Sequence, residues 1–217
     1  MNIIDVAQTR YATKKFDSNK RISVDVFDQV KKLLQLSPSS INAQPWHFMI
    51  AQSEQGKAKM ALAAHGAYQA NEAKIKDASH VILFCAKTEI SDDYLLHITE
   101  QEAADGRFAK PEAKELVLKV RHFYTDLHRK EWLDVEHWAE NQVYLNIGNF
   151  LLGVGALGLD AVPIEGVDLA VLNKEFELTE KGLKAVAVVA VGYQADDDMN
   201  AKLPKSRLPE SEIMTMI

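Results

Sequence analysis

The feature that most constrains the fold is the apolar run KAVAVVAVGY at residues 184–193. Valine and alanine fill it almost completely, a composition typical of a β-strand that is buried in the protein interior. A second run, SHVILFCAK at residues 79–87, has the same character. Neither run approaches the roughly 20 residues that a membrane span requires. The sequence therefore predicts a globular chain built around a buried sheet.

Helical periodicity surrounds these two strands. Apolar residues recur at helical spacing in residues 2–9, 24–36, 53–66, 91–105, 111–130 and 134–158, and Asp168 is a predicted N-cap for one more helix. Shorter strands are predicted at residues 46–51 and 160–166, and the terminal IMTMI fits an edge strand. Strands placed singly among helices predict an α+β or three-layer domain around one sheet. A length of 217 residues fits one domain, or one domain with a small appendage.

Composition and net charge indicate which binding partners are expected. Hydrophobic residues make up 47% and charged residues 26% of the chain, the ordinary balance of a globular protein. The formal net charge is −6, so the surface as a whole should not attract nucleic acid or anionic membrane, and an anion site needs a local basic cluster. The N-terminus MNIIDVAQTR lacks the layout of a secretory signal, and a cytoplasmic location is therefore expected.

Several common catalytic patterns are missing. Cys85 is the one cysteine, and its place in a predicted strand favours a small core residue over the nucleophile of a thiol enzyme. The seven histidines form no HExxH pattern, so no metal site is expected. Neither a GxSxG elbow nor a glycine-rich phosphate loop after a strand is present.

Basic residues cluster in two non-helical stretches. TRYATKKF places Arg10 and Lys14 at the end of the first helix, and KLPKSRLP places Lys205 and Arg207 two residues apart between prolines. In extended chain such residues point the same way, so both can converge on one anion, and arginine supplies a planar fork suited to phosphate. A solvated basic tail is the alternative.

Two further stretches suit a flat ligand. VPIEG ends a strand and exposes two consecutive backbone N–H groups, those of Glu165 and Gly166, and glycine permits close approach of a ligand to the backbone. An ordinary turn with an exposed glutamate is equally compatible with this pattern. Asn71 and Lys74 share one face if their segment is helical, although such a pair is most often solvated surface.

Glycines interrupt the longest predicted helix. Gly153, Gly155 and Gly158 follow one another within a few residues of its C-terminal end, and glycine inside a helix costs about 1 kcal/mol. They indicate either close packing of another backbone or partner subunit, or a weak end of the helix.

The segment SPSSINAQPWHF at residues 37–48 is too long and too polar for a simple connection between a helix and a strand. Together with RYATKKF, DGRFA, QVYLNIGNFLLG, VPIEG and LPKSRLP, in this order over essentially the whole chain, it resembles the oxygen-insensitive NAD(P)H nitroreductases. The resemblance is to the minor, FMN-dependent type, grouped with the dihydropteridine reductases of the nitroreductase superfamily and close to the FMN reductase that supplies luciferase. It implies an α+β fold with a mixed sheet flanked by helices, in an intertwined homodimer with FMN at two interfacial sites. It also implies a single domain over residues 1–217 whose tail, about residues 195–217, docks on the partner subunit.

The resemblance implies an FMN site. Arg10, Lys205 and Arg207 would hold the phosphate; Lys14, Asn71 and Lys74 would follow the pyrimidine edge of the ring; and the N–H groups of Glu165 and Gly166 would face N5 and O4. Pro38, Ser39, Ser40 and Asn42 would come from the other subunit as a wall over the flavin, stiffened by the prolines at 38 and 45. The remaining expected cofactor contacts are Tyr11, Ala12, Gln142 and Pro163. No catalytic side chain is expected beyond the flavin itself.

The resemblance also implies a site for NADH or NADPH and the acceptor. Its expected residues are Lys14, Ile41, Tyr68, Asn71, Lys74, Arg107 and Tyr124. For Tyr124 the alternative is that Phe123 and Tyr124 form part of a core stripe. Many relatives have serine at the position of Ala12, where this chain is expected to lack one side-chain hydrogen bond near the phosphate or ribityl chain. Relatives often have threonine at Ile41 and an aromatic residue at Ala70, two positions expected to face the substrate channel, so acceptor preference transfers least well.

The implied reaction alternates two half-reactions at one site. NAD(P)H would deliver hydride to the flavin and leave, and a nitroaromatic compound or quinone would then take two electrons. Two alternatives stay open: a flavin reductase whose true acceptor is free FMN, and a flavin-binding protein without turnover.

Overall fold

In a computed structural model, the chain is described over residues 2–217. The helices are α1 (Ile3–Thr9), α2 (Val24–Gln35), α3 (Glu54–Ala61), α4 (Glu72–Asp77), α5 (Asp92–Ala104), α6 (Pro111–Asp126), α7 (Val135–Ala156), α8 (Leu169–Glu175) and α9 (Glu210–Ile213). The strands are β1 (Trp46–Ala51), β2 (His80–Lys87), β3 (Asp160–Ile164) and β4 (Leu183–Gly192).

The four strands form one sheet in the order β1-β2-β4-β3. All three strand pairings are antiparallel, and the longest strand, β4, lies in the interior of the sheet, as its apolar run predicts. The α+β prediction is confirmed. A mixed sheet, with parallel and antiparallel strands, was expected. In the described chain the one parallel pairing is an isolated bridge between Ala12 and Ala161.

Both faces of the sheet are covered. Along β2, Leu83 belongs to a core cluster with α3, α4 and α8, whereas Phe84 belongs to a second cluster with α2 and α7. Alternate side chains of a strand point to opposite faces, so a strand between two helical layers has to be apolar at nearly every position. This three-layer arrangement explains why the two strand runs lack an alternating pattern.

One helix start follows a local signal, and one helix end does not. Asp168 caps α8 by accepting hydrogen bonds from the N–H groups of Ala170 and Val171, as predicted. The helix predicted to reach Gly66 is wrong beyond Ala61. The Ala63 carbonyl accepts a hydrogen bond from the Asp168 N–H at 2.8 Å, outside any helical ladder. Beyond Ala61 the N–H groups of residues 62–64 bond to the third residue back rather than to the fourth, so the α-helical ladder has already ended.

The glycines of α7 mark close packing. A Cβ atom on Gly153 would lie 2.6 Å from the Leu33 side chain, and one on Gly155 would lie 3.0 Å from Val6. The neighbours are thus side chains of α2 and α1, and the helix continues past both glycines to Ala156. Gly158, with a φ of 73°, follows the helix end, where its left-handed conformation is favourable.

The C-terminal IMTMI forms no strand among the described residues. Ile213 ends α9 and the following residues lack regular structure, with Met216 96% exposed. The edge-strand interpretation is wrong for the chain by itself, because no strand of the chain pairs with this segment. No helix within residues 2–217 is long and apolar enough to cross a membrane.

Candidate functional site

Three cationic side chains gather where the C-terminal tail crosses the end of α1. Arg10, Lys205 and Arg207 line one cavity of about 310 Å³, together with Tyr11 and Ala12. Lys205 Nζ donates to the carbonyls of Ala7, at 2.5 Å, and Arg10 at the C-terminal end of α1. The lysine thereby fixes the extended tail against the helix. We call the cavity lined by Arg10, Lys205 and Arg207 the cation cavity.

The cation cavity lacks a neutralising partner. None of its three cations forms an ion pair with a carboxylate in residues 2–217. Burial lowers the pKa of Arg10 and the neighbouring Arg207 charge lowers it further. Burial, followed by the charges of Arg10 and Arg207, lowers the pKa of Lys205. Because the cations disfavour one another, an anion with two or more negative oxygens would relieve their repulsion.

A buried aspartate organises the two stretches that meet there. Asp198 is almost fully buried, and its Oδ2 accepts from the Lys14 N–H at 2.9 Å. Its Oδ1 accepts from the N–H of Asn200, whose side-chain amide donates to the Ala12 carbonyl at 2.8 Å. Tyr11 Oη lies 3.3 Å from the same carboxylate. The turn that carries the N-terminal cations is therefore bonded directly to the C-terminal tail.

A second polar group lies at the start of α4. Asn71 is the residue preceding this helix, and Lys74 Nζ donates to Asn71 Oδ1 at 2.6 Å. Asn71 Nδ2 in turn donates to the Gly166 carbonyl at 2.8 Å. Burial and then the charge of Lys14 lower the pKa of Lys74. Lys14, Asn71, Lys74 and Gly166, from three separate stretches of sequence, thus form one polar group, which we call the polar edge.

The end of β3 contributes backbone to this edge. Pro163 lies in β3, an outer strand of the sheet, where a missing N–H is tolerated. Beyond the strand, neither the Glu165 nor the Gly166 N–H donates to an acceptor within residues 2–217. A Cβ on Gly166 would lie 2.8 Å from Asn71 Nδ2 and 3.4 Å from the Tyr68 ring, so the backbone is closely approached there.

The Glu165 side chain turns to α7. Tyr144 Oη donates to Glu165 Oε1 at 2.8 Å. Burial, aided by this hydrogen bond, raises the pKa of Tyr144 to about 12. The carboxylate is thereby engaged, and the two N–H groups at the strand end are the free polar groups of this turn.

The segment of residues 37–44, which we call the wall segment, has an unusual backbone. Ile41, Asn42 and Gln44 have φ values of 48°, 54° and 46°. Left-handed backbone is uncommon outside glycine and is unfavourable for a β-branched residue such as isoleucine. The segment adopts this conformation because surrounding side chains bond to it.

Those bonds come from several elements. Gln142 Oε1, on α7, accepts from the Ser40 N–H at 2.8 Å, and Ser39 Oγ accepts from the Gln44 N–H at 2.9 Å. Pro38 is exposed next to them. Gln142 is almost fully buried and its amide nitrogen donates to the Trp138 carbonyl, so its amide serves the wall segment itself.

A buried ion pair lies beneath the wall segment. Arg121 Nη2 is 2.6 Å from Glu102 Oε1, which also accepts from Asn42 Nδ2 at 2.7 Å. Arg121 Nε donates to the Ile41 carbonyl at 3.0 Å. Burial by itself raises the pKa of Glu102, but hydrogen bonds from Arg121 and Asn42 hold that pKa below its ordinary value.

Arg107 and Tyr124 border the same region from solvent. The Arg107 side chain is exposed, with its Nε 3.7 Å from Glu102 Oε1. Arg107, Asn42 and Glu102 line a common cavity of about 680 Å³. Tyr124 is 48% exposed and Phe123 still more so, their rings packed edge to face at 5.2 Å. The alternative that Phe123 and Tyr124 form part of a core stripe is therefore wrong.

The residues predicted to bind cofactor thus fall into three groups. The cation cavity and the polar edge share the stretch from Arg10 to Lys14, and the polar edge extends to Gly166. No hydrogen bond within residues 2–217 joins the wall segment to either of them. The described chain therefore presents a basic and polar surface and, with no hydrogen bond to it, a wall segment with left-handed backbone.

Two other chemistries find little support in the described chain. Cys85 is fully buried within β2, and burial raises the pKa of its thiol to about 12, which opposes a thiolate nucleophile. Residues 2–217 bring together no group of three or more His, Cys, Asp or Glu side chains suited to a metal ion.

Sequence reasoning missed Asp198, Glu102 and Arg121. Asp198 ends a run of three aspartates, which is typical of a solvated acidic turn. Four residues before and after Arg121 stand Val117 and Thr125, so no acidic residue on the same helix can pair with it. This lack of a local partner is the sequence feature that could have indicated a buried ion pair with another helix.

Comparisons with known protein families, sequences and structures identify similar proteins. The sequence profile of the Nitroreductase family matches residues 7–193. The chain is 54% identical over 215 residues to the oxygen-insensitive NAD(P)H nitroreductase of Enterobacter cloacae, covering 99% of each chain. It is 33% identical over 216 residues to the major NAD(P)H-flavin oxidoreductase of Aliivibrio fischeri, covering 99% of this chain and 98% of that one. An FMN complex from Exiguobacterium sibiricum has the same fold, with a TM-score of 0.85 at 23% identity over 100% of this chain and 98% of that one.

Proposed function

The chain belongs to the nitroreductase family, and from this membership we propose that it is an FMN-dependent NAD(P)H oxidoreductase that reduces nitroaromatic compounds and quinones by two electrons. Relatives named NAD(P)H nitroreductases match it at 54% identity over essentially their whole length. The observation that carries the proposal is the cation cavity, because three unpaired cations around one cavity favour a phosphate-bearing ligand.

The residues present fit FMN at both of its ends. The guanidinium groups of Arg10 and Arg207 offer planar forks for phosphate oxygens, and Lys205 adds a point charge. At the polar edge, Asn71 presents an amide and Gly166 presents backbone without a Cβ atom, which suits a flat ring with polar edges. Tyr11, Ala12, Lys14 and Pro163 complete the proposed cofactor contacts.

When bound, FMN supplies the transfer of two electrons from NAD(P)H to the acceptor. Lys14 and Lys74 would stabilise negative charge on the bound group at the polar edge, where partial desolvation strengthens the interaction. The N–H groups of Glu165 and Gly166, which donate to no acceptor within residues 2–217, would be available to hydrogen-bond the ring. Tyr124, Tyr68, Ile41 and Arg107 border the channel for NAD(P)H and acceptor. We assign no side-chain acid or base, because a channel open to solvent can supply protons.

We further propose that the enzyme is a cytoplasmic homodimer in which the wall segment closes the site of the partner subunit. The lack of any hydrogen bond between the wall segment and the polar edge within residues 2–217 supports this arrangement. A row of exposed apolar residues on α6, including Leu116, Val120 and Phe123, also supports it. The whole chain forms one domain in this proposal, and the exposed tail of residues 195–217 docks on the partner. Neither nucleic acid nor membrane is a proposed partner, given the net charge of −6.

The absorbance spectrum of the purified protein tests the cofactor, since bound FMN gives flavin bands that disappear on removal by dialysis at high salt. Steady-state oxidation of NADH or NADPH with menadione, a nitrobenzene or free FMN at equal concentration tests the reaction. Turnover with menadione rejects a flavin-binding protein without activity. Turnover confined to free FMN would favour the flavin reductase, the activity named for the relative at 33% identity.

A further inference from the structure

The carboxylate of Glu102 contacts side chains with different proposed roles: Asn42, assigned to the FMN site, and Arg107, assigned to the site for NAD(P)H and the acceptor. Its Oε1 accepts from Asn42 Nδ2 at 2.7 Å and from Arg121 Nη2 at 2.6 Å. The Arg107 Nε lies 3.7 Å from the same oxygen, and the Arg107 N–H donates to the Glu102 carbonyl at 3.0 Å. Glu102 is 5% exposed and Arg121 2% exposed, so this is an interior contact.

Arg121 uses three of its nitrogens on three acceptors, one in the wall segment and two on α5. Nε donates to the Ile41 carbonyl at 3.0 Å, Nη1 donates to Thr99 Oγ1 at 2.8 Å on α5, and Nη2 binds Glu102. A lysine at this position could not reach all three acceptors, because its single nitrogen lacks the planar fork. Tyr124 lies one turn further along the same helix.

The backbone of the wall segment needs such support. Left-handed φ values at Ile41, Asn42 and Gln44 persist only when surrounding contacts impose them. The pair supplies a bond to the Ile41 carbonyl and one to the Asn42 amide, and Tyr94 Oη donates to the Gln44 carbonyl at 2.7 Å. All three of these bonds originate on α5 or α6.

We propose that Glu102 and Arg121 are positioning residues for the flavin reaction: they hold the wall segment in its strained conformation and set it in register with Arg107 and Tyr124. This inference rests on the proposed function. A buried ion pair is weak support for stability as such, since apolar replacements of similar volume are often neutral. The pair is instead explained by the conformation that it imposes on residues 41 and 42.

The test compares two double variants of the full-length protein. In Glu102→Gln/Arg121→Met both buried charges are removed together with similar side-chain volumes. The matched control is Glu100→Gln/Lys114→Met, which removes an ion pair between the same two helices at 2.6 Å on the surface. Hydrogen–deuterium exchange of the apoprotein, FMN titration and steady-state kinetics are measured for both variants and for the wild type.

We expect the melting temperature of the buried-pair variant to stay near that of the wild type, while amide exchange in residues 39–44 accelerates. FMN binding should weaken about tenfold, the size of one lost polar contact. The value of kcat/KM for the acceptor should fall by up to about a hundredfold, as expected for misplaced contact groups. The control should match the wild type in all three measurements. Wild-type exchange, FMN affinity and kcat/KM in the buried-pair variant would overturn the proposal.

Arg121→Lys keeps the test decisive if the double variant does not fold, since it retains a charge beside Glu102. It should lose the bond to the Ile41 carbonyl and show the same exchange and binding changes at reduced size, and wild-type values would again overturn the positioning role. A wild-type protein that binds no FMN would refute the proposed function instead, so the two failures are distinguishable.

Discussion

Replacing Arg207 with alanine should weaken FMN binding without weakening the apoprotein. Arg207 belongs to the cation cavity, where its charge lowers the pKa of both Arg10 and Lys205 after the effect of burial. In the absence of an anion the three cations repel one another, so removing one should leave the melting temperature of the apoprotein unchanged or slightly higher. A bound phosphate reverses the sign, because each cation then contributes attraction.

The size of the loss follows from one charge-assisted contact. A hydrogen bond to a charged group contributes about 1.5–3 kcal/mol, which corresponds to roughly ten- to a hundredfold in the dissociation constant. The Arg207 side chain is held within the chain by a donation to the Ser206 carbonyl, so no buried partner is orphaned by its removal. Arg207→Lys should recover only part of the affinity, because an ammonium group cannot donate a bidentate pair.

Fluorescence titration of the apoprotein with FMN and with riboflavin measures the effect. Riboflavin has no phosphate, and its affinity should be nearly indifferent to Arg207→Ala. The matched control is Arg21→Ala, since Arg21 is a surface arginine paired with Glu54 at 3.2 Å and lies outside the cation cavity. FMN affinity of the wild type should also fall with rising ionic strength, with a shallower slope for Arg207→Ala. Equal loss of FMN and riboflavin affinity would refute the reasoning, because it would indicate another phosphate partner or a general structural change.

Four further outcomes are expected. Double-reciprocal plots against NADH at several acceptor concentrations should be parallel if both substrates use one site in turn, and intersecting lines would contradict this scheme. Truncation after Arg207 should weaken the dimer in sedimentation experiments and lower the flavin content, whereas a fully active monomer would end the docking proposal. Gly166→Ala should lower FMN affinity about tenfold, because the new Cβ would lie 2.8 Å from Asn71 Nδ2, and the control Gly148→Ala, where a Cβ meets nothing within 4 Å, should leave FMN affinity unchanged. Burial lowers the pKa of His80 to about 4, below the ordinary 6.5, so in that pH window the unfolded chain binds a proton that the folded chain does not. The wild-type melting temperature should therefore fall from pH 6.5 to pH 4 more steeply than that of His80→Gln, and equal slopes would contradict the shifted pKa.

Much of the fold follows from local sequence. The runs at residues 79–87 and 184–193 are apolar at nearly every position, and the structure forms strands at His80–Lys87 and Leu183–Gly192. Asp168 begins a helix because its side chain satisfies N–H groups that no preceding turn can bond. These features depend on neighbours in sequence, and they were therefore predictable.

Where prediction failed, distant partners decided the outcome. The apolar IMTMI has the composition of a strand, but a strand exists only where another strand supplies its hydrogen bonds, and the chain offers none to this segment. The helix predicted to reach Gly66 ends at Ala61, and just beyond it the Ala63 carbonyl bonds the N–H of Asp168, more than a hundred residues away. The spacing of apolar residues along the chain indicates neither the missing strand partner of IMTMI nor the bond between Ala63 and Asp168.

The candidate site also has features that the sequence determines and features that depend on the tertiary structure. The sequence by itself determined which residue types are available: two basic stretches, a polar wall segment between prolines and a strand ending in Glu-Gly. Only the tertiary structure decided that Arg10 meets Lys205, and that buried Glu102 and Arg121 hold the left-handed backbone at Ile41. The physical reason is that charge repulsion, burial and imposed backbone strain are properties of groups brought together from distant positions, and local spacing does not encode the distance between them.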